Sequence, residues 1–221
     1  MPGISRTGTL TKTNPKPYSE MIRKLILLIC TASLITGCLT RAPEATRYYL
    51  LDYPAGMEIV FPGNGPFIGK SCLITSVEVY PAYSSHQIAI REHSHEIKYF
   101  AVNIWAVRPE QSLTSIMTEF FRNHKVFESV HLSTLSTETD FTLGTTVYNL
   151  EVVQEKRDYY ARLKVEYLLK DNQSNQIVYD HRADKRVLLE DRDLNLFAAA
   201  ISEIFVEELA IFVNTIVEDF R

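Results

Sequence analysis

Cysteine, glycine and tryptophan are scarce in this chain, at three, eight and one of 221 residues. Cys30 sits inside an apolar run near the N-terminus and Cys38 closes that run, which leaves Cys72 as the cysteine of the body. A disulfide-stapled scaffold is thereby excluded. Cys72 follows Ser71, precedes Leu73-Ile74 and has no base close to it in sequence, so it reads as a small core residue rather than a reactive thiol. The sequence also lacks an apolar stretch of the roughly 20 residues that a transmembrane helix requires. It contains no G-x-S-x-G, H-E-x-x-H, P-loop or dinucleotide glycine pattern, and no residue reads as catalytic.

Positive charge is short where nucleic acid would need it. Of 23 bases and 27 acids, Arg6, Lys12, Lys16, Arg23, Lys24 and the single acid Glu20 lie in residues 1–37. The remainder therefore carries 18 bases against 26 acids, close to −8. Such a body repels phosphate backbones and anionic headgroups alike, which argues against nucleic acid as a partner. At 46% hydrophobic and 23% charged residues, the composition is that of a folded domain.

What is present at the N-terminus is a targeting pattern. Met21-Ile22-Arg23-Lys24 is a positive start, Leu25 to Thr36 an apolar run, and Gly37-Cys38 a small-residue cleavage site. Residues 1–37 are thus expected to be a signal peptide, with 1–20 either a long n-region or, the favoured reading, an upstream mis-start with Met21 the initiator. Ile35-Thr36-Gly37-Cys38 resembles the lipobox of bacterial lipoproteins, with cleavage between Gly37 and Cys38 and lipid attached to Cys38. One acyl chain holds a protein only marginally, so several chains (palmitate-type) on Cys38 are what durable anchoring implies. Leu39, in place of an aspartate, implies the outer membrane by analogy with enterobacterial sorting.

The body follows a tether over residues 38–46 and is expected to span 47–221 as one domain. Tyr48 to Leu51 reads as a first strand, and Pro54 to Gly69, rich in glycine and proline, as a loop. Leu73 to Tyr80 reads as a strand ended by Pro81, with a hairpin from Gln87–Arg91 and Glu96–Val102 around His93-Ser94. Pro109 suits a first helical turn, and Leu113, Ile116, Met117 and Phe120 give that helix one apolar face up to Asn123-His124. Val126-Phe127 resumes extended chain, and Ser133 to Thr142 reads as a loop. Every second residue from Ala161 to Leu169 is apolar and most of the intervening ones are charged, which predicts a half-buried strand. With Tyr148–Val152 before it and Ile177–Val187 after it, an antiparallel meander is expected. A long helix from Asp191–Asp193 onward carries Leu194, Phe197, Ala198, Ile201, Ile204, Phe205, Leu209, Phe212 and Ile216 as one stripe. Acids Glu203, Glu207 and Glu218 lie opposite, so the stripe faces a sheet rather than a membrane surface.

Few residues suggest chemistry. His86, Glu92, His93, His95 and Glu96 cluster in sequence, and 93 and 95 share a strand face, as a two-histidine metal clip would require. An exposed polar hairpin tip accounts for them better, and no metal is expected. Lys156 to Tyr160 mixes bases and aromatics but reads as a solvated turn. Trp105, alone of its kind, is a core or an interface anchor, and Tyr48 and Tyr49 are candidate interface aromatics for which packing is the favoured reading.

The order of these features resembles a known family. A lipobox, a tether, Tyr48-Tyr49-Leu50-Leu51, a strand ending Val77-Glu78-Val79-Tyr80-Pro81, and Trp105 just before the first helix are similar to the auxiliary lipoproteins of ABC-type envelope transport, of which the paraquat-inducible C lipoprotein is the best-known type. The family's acidic Trp-Ala-Glu-Pro-like run is here Trp105-Ala106-Val107-Arg108-Pro109. The resemblance implies a three-layer α/β domain with a mixed, largely antiparallel sheet, one mid-chain helix and a long C-terminal helix. It implies no enzyme and no cofactor. It implies instead an adaptor on the periplasmic face of the outer membrane, serving lipid transport and membrane integrity. The implied partners are a mammalian-cell-entry-type substrate-binding protein and an inner-membrane permease and ATPase, with homo-oligomers plausible. The rival expectation is an outer-membrane lipoprotein that holds a hydrophobic ligand in a pocket between its sheet and terminal helix.

Overall fold

The alternation between 161 and 169 forms the strand it predicts: Ala161, Leu163, Val165, Tyr167 and Leu169 are all buried on one face. The structure is a computed structural model that describes residues 18, 20–27, 44–59, 61, 67–132 and 138–220. Residues 1–44 and 45–221 form separate units. In the first, residues 20–27 are helical (α1); Gly37 and Cys38, with the expected cleavage and lipid site, lie outside the described residues. No described helix is long and apolar enough to cross a membrane.

The second unit runs β1 (Arg47–Tyr49), β2 (Ile68–Ile74), β3 (Glu78–Val79), β4 (Gln87–His93), β5 (Glu96–Trp105), α2 (Pro109–His124), β6 (Phe127–His131), β7 (Phe141–Glu155), β8 (Asp158–Asp171), β9 (Gln176–Leu188) and α3 (Leu194–Asp219). The strands make one mixed sheet of nine. Its organiser is β7, whose 15 residues extend about 50 Å. Along one edge β7 pairs in turn with β2, β3 and β4, all parallel. Along the other it pairs antiparallel with β8, and β8 with β9, as the expected meander. The long pairings are therefore antiparallel and the short ones parallel.

Both helices of this unit lie on one face. α2 starts at Pro109 and ends at His124, as its apolar spacing predicts, with Lys125 in the left-handed region (φ 48°) closing it through an N–H bond to the Phe121 carbonyl. The Asp193 carboxylate accepts from the Asn195 N–H at the start of α3. The α3 stripe packs on β8: the Tyr167 hydroxyl donates to the Phe205 carbonyl at 2.8 Å, and its ring stacks on Phe212. From α2, Met117 Sδ accepts from the Thr145 hydroxyl at 3.3 Å. Of the three layers expected, helices and sheet are regular elements; the other face is covered at one place by the turn segment 81–86, through Tyr83.

One expected strand is corrected. Leu73–Tyr80 is not continuous: β2 begins at Ile68, inside the expected loop, and the chain leaves strand conformation at 75–77 before β3. The reason is non-local. Ile68 is fully buried and pairs with Phe127 of β6, a parallel contact that local composition does not announce.

Candidate partner-binding edge

β1 is a three-residue strand at the sheet edge, held parallel to the end of β5 by the pairs Arg47–Asn103, Tyr48–Ile104 and Tyr49–Trp105. The pleat sends alternate side chains to opposite faces. Trp105 points inward, 1% exposed, with its ring 5.8 Å from Phe197 of α3. Its backbone is clamped to His86: Trp105 N–H donates to the His86 carbonyl at 2.7 Å, and His86 Nδ1 lies 2.9 Å from the Trp105 carbonyl. Tyr49 is 9% exposed and its hydroxyl donates to Asn103 Oδ1 at 3.2 Å. Tyr48 is 66% exposed. The structure thus gathers all three aromatic candidates at one edge, with Trp105 in the core and Tyr48 facing outward.

Beyond β1, the half-exposed Leu50 leads into a segment tied to both helices. The Asp52 N–H donates to the Ser202 hydroxyl of α3, and the Tyr53 hydroxyl lies 3.3 Å from His124 Nε2 of α2. Between this segment and α3 runs a groove of about 370 Å3, lined by Tyr49, Leu50, Asp52 and Tyr53 on one side and by Asn195, Ala199, Ser202 and Glu203 on the other. It shares Tyr49 and Asn195 with a second groove, of about 530 Å3, bounded by Arg47, Tyr48, Asp191, Arg192 and Asp193. An exposed tyrosine flanked by charges of both signs is a composition found in protein interfaces.

The histidine tip bonds within itself. Lys98 Nζ reaches Glu92 at 2.5 Å and Glu96 at 3.8 Å, the Ser94 hydroxyl meets His95 Nδ1 at 2.8 Å, and Arg91 donates to the Ser94 carbonyl. His86 is engaged with Trp105 instead. Among the described residues, no group of three or more His, Cys, Asp or Glu side chains is placed to hold a metal ion. The Lys156–Tyr160 segment is a turn running into β8. Cys72 is fully buried, and burial pushes its thiol up to about 12, which leaves it unreactive.

Sequence reasoning missed three buried acids. Glu151 on β7, 0% exposed, accepts from Arg91, from Arg162 at 3.3 Å, from the Tyr83 hydroxyl at 2.7 Å and from Asn149. Glu166 on β8 bonds the Tyr148 hydroxyl and Arg182. Glu208 on α3 bonds His181 at 2.7 Å and Lys185 at 3.1 Å of β9. The available signal for Glu208 was its place beside Leu209 in the apolar stripe; for Glu151, the run Val152-Val153 that follows it.

We find no family model that matches the chain, and no match among curated proteins. Solved structures do share the fold. A Xanthomonas campestris protein assigned to DUF330 superposes with TM-score 0.60 at 15% identity, covering 79% of this chain and 94% of its own. An uncharacterized protein superposes with TM-score 0.61 at 13% identity, covering 78% and 99%.

Proposed function

We propose that this chain is a lipid-anchored periplasmic adaptor in an envelope system that moves phospholipid or another hydrophobic compound. In this reading Cys38 carries the lipid at the outer membrane, and the folded body docks on a mammalian-cell-entry-type substrate-binding protein served by an inner-membrane permease and ATPase. No step of catalysis is assigned to it. The observation that carries the reading is one of placement: the exposed Tyr48 lies ten residues after the lipobox cysteine. Ten extended residues reach at most about 35 Å, so the β1 edge works close to the anchoring bilayer. The acidic body supports the same reading, because it leaves lipid rather than charge to hold the protein on a membrane. The fold shared with the DUF330 protein is compatible with it.

The test is co-purification of a mammalian-cell-entry-type protein with the full-length chain from detergent-solubilised membranes. Tyr48→Ala is expected to weaken retention by about tenfold, as truncation of an interface aromatic does, without loss of the folded body. A wild-type chain that retains no such protein overturns the adaptor role. The rival reading, a ligand-holding lipoprotein, has less room. Tyr167, Phe197, Phe205 and Phe212 occupy the space between sheet and α3, and the groove beside Leu50 is where α3 leaves room for a ligand along its start. Lipid co-purifying stoichiometrically in native mass spectrometry would favour it.

A further inference from the structure

β9 is a 13-residue edge strand, and among the described residues it pairs with β8 alone. A free edge presents a row of unpaired N–H and C=O groups, which proteins usually blunt or cover. Here the strand carries an ordered set of charges. On the face away from α3, Asp180, Arg182, Asp184 and Arg186 alternate in sign at every second residue. On the α3 face lie Tyr179, His181, Ala183, Lys185 and Val187.

We infer that β9 pairs antiparallel with β9 of a second copy of this chain, about a two-fold axis through Ala183. The register follows from charge. Residues facing each other across such an axis lie equal distances before and after its centre, and a two-fold normal to the sheet keeps each side chain on its own face. Centred on Ala183, Arg182 opposes Asp184 of the other copy and Asp180 opposes Arg186, each twice by symmetry, while Tyr179 meets Val187. Centring one residue earlier sets Arg182 on itself and Asp180 on Asp184; one residue later sets Asp184 on itself and Arg182 on Arg186. Parallel in-register pairing sets every charge on its like. Like charges directly opposite are unfavourable in a sheet and opposite charges favourable, so one register stands apart from its neighbours.

The charges already stand in position. Within one copy, Arg162 holds Asp184 at 2.8 Å, Arg182 bonds Glu166, and Arg186 bonds Glu155 at 2.8 Å. Arg182 is 72% exposed and donates to Glu166 through Nε, which leaves its terminal N–H groups for a further carboxylate. Pairing then extends the alternation unbroken, from Glu166 and Arg182 of one copy to Asp184 and Arg162 of the next. On the α3 face His181 meets Lys185 of the other copy, and both are bonded to Glu208 of their own copy. Ala183 keeps the centre narrow.

A strand edge alone is smaller than the roughly 1,000 Å2 of a stable interface, so the dimer is a reversible one. Its solvent-facing ion pairs make it sensitive to salt. The test is sedimentation of the full-length chain in detergent over a range of concentrations, with circular dichroism confirming the fold. The wild type is expected to pass from monomer to dimer. D180R and R186D each place like charges opposite one another twice and are expected to weaken association by about tenfold. The double variant D180R/R186D exchanges the partners and is expected to restore it. If one single variant does not fold, the other single variant and the double decide. A wild type that stays monomeric, single variants that associate unchanged, or a double variant that stays weak each overturns the inference.

Discussion

Glu151 illustrates how a buried charge is tolerated. Two guanidiniums, a phenol and an amide surround it, so both carboxylate oxygens keep partners although none of the side chain meets water. Glu151→Ala leaves Arg91 and Arg162 facing a void and is expected to cost about 3–5 kcal/mol in urea unfolding, against under about 1 kcal/mol for an exposed acid such as Glu96. Two other residues give the fold a pH dependence. Burial among Phe61, Phe120 and the helix end lowers His124 below its ordinary 6.5. The neutral imidazole is thus favoured in the folded state, and its contribution, complete above pH 6.5, is lost as the pH falls through the lowered pKa. The Tyr148 hydroxyl, and then Arg182, hold Glu166 below its ordinary 4.5. That contribution is complete above pH 4.5 and lost on further acidification. The unfolding midpoint is therefore expected to fall in two stages on acidification, with His124→Phe removing the upper stage and Glu166→Gln reducing the lower, to which Asp140, held down by Ser71, and Asp184, held down by Arg162, also contribute; a midpoint that rises below pH 6 contradicts both.

At the scale of elements, local pattern was a good guide wherever an element's partners did not matter. Helices α2 and α3 and the hairpins β4–β5 and β7–β8–β9 stand where periodicity and turn residues place them. Parallel pairing was not legible. β2, β3 and β4 all lean on β7 from distant parts of the chain, and it is the parallel contact of β2 with β6, starting at Ile68 and Phe127, that carries the strand back through Gly69-Lys70. The edge site was half legible: Tyr48, Tyr49 and Trp105 stood out as aromatics, but which of them faced outward depended on the register of β1 on β5. Lys125 offers a test of helix termination. It occupies a left-handed conformation that costs a side chain about 1 kcal/mol and glycine little, so Lys125→Gly is expected to stabilise the fold by up to about that amount. In the opposite sense, Phe205→Ala empties the centre of the sheet–helix core and is expected to cost about 3–5 kcal/mol.

For the whole molecule, one arrangement serves both proposals. Two of the sheet's edges differ: β1 carries Tyr48 and the grooves against α3, whereas β9, which among the described residues pairs with β8 alone, carries the alternating charges. A chain held in a bilayer by lipid meets its neighbours at raised local concentration, which helps a weak strand-edge contact to form while β1 stays available to a different partner. The adaptor proposal depends less on any single contact than on where the body resides, which in that proposal the lipobox pattern sets. The most direct measurement is therefore mass spectrometry of the mature N-terminus of protein extracted from membranes. The account predicts a chain that begins at Cys38 and carries diacylglycerol on its sulfur. A chain that retains Arg23-Lys24 and the following apolar run, with an unmodified Cys38 thiol, contradicts it.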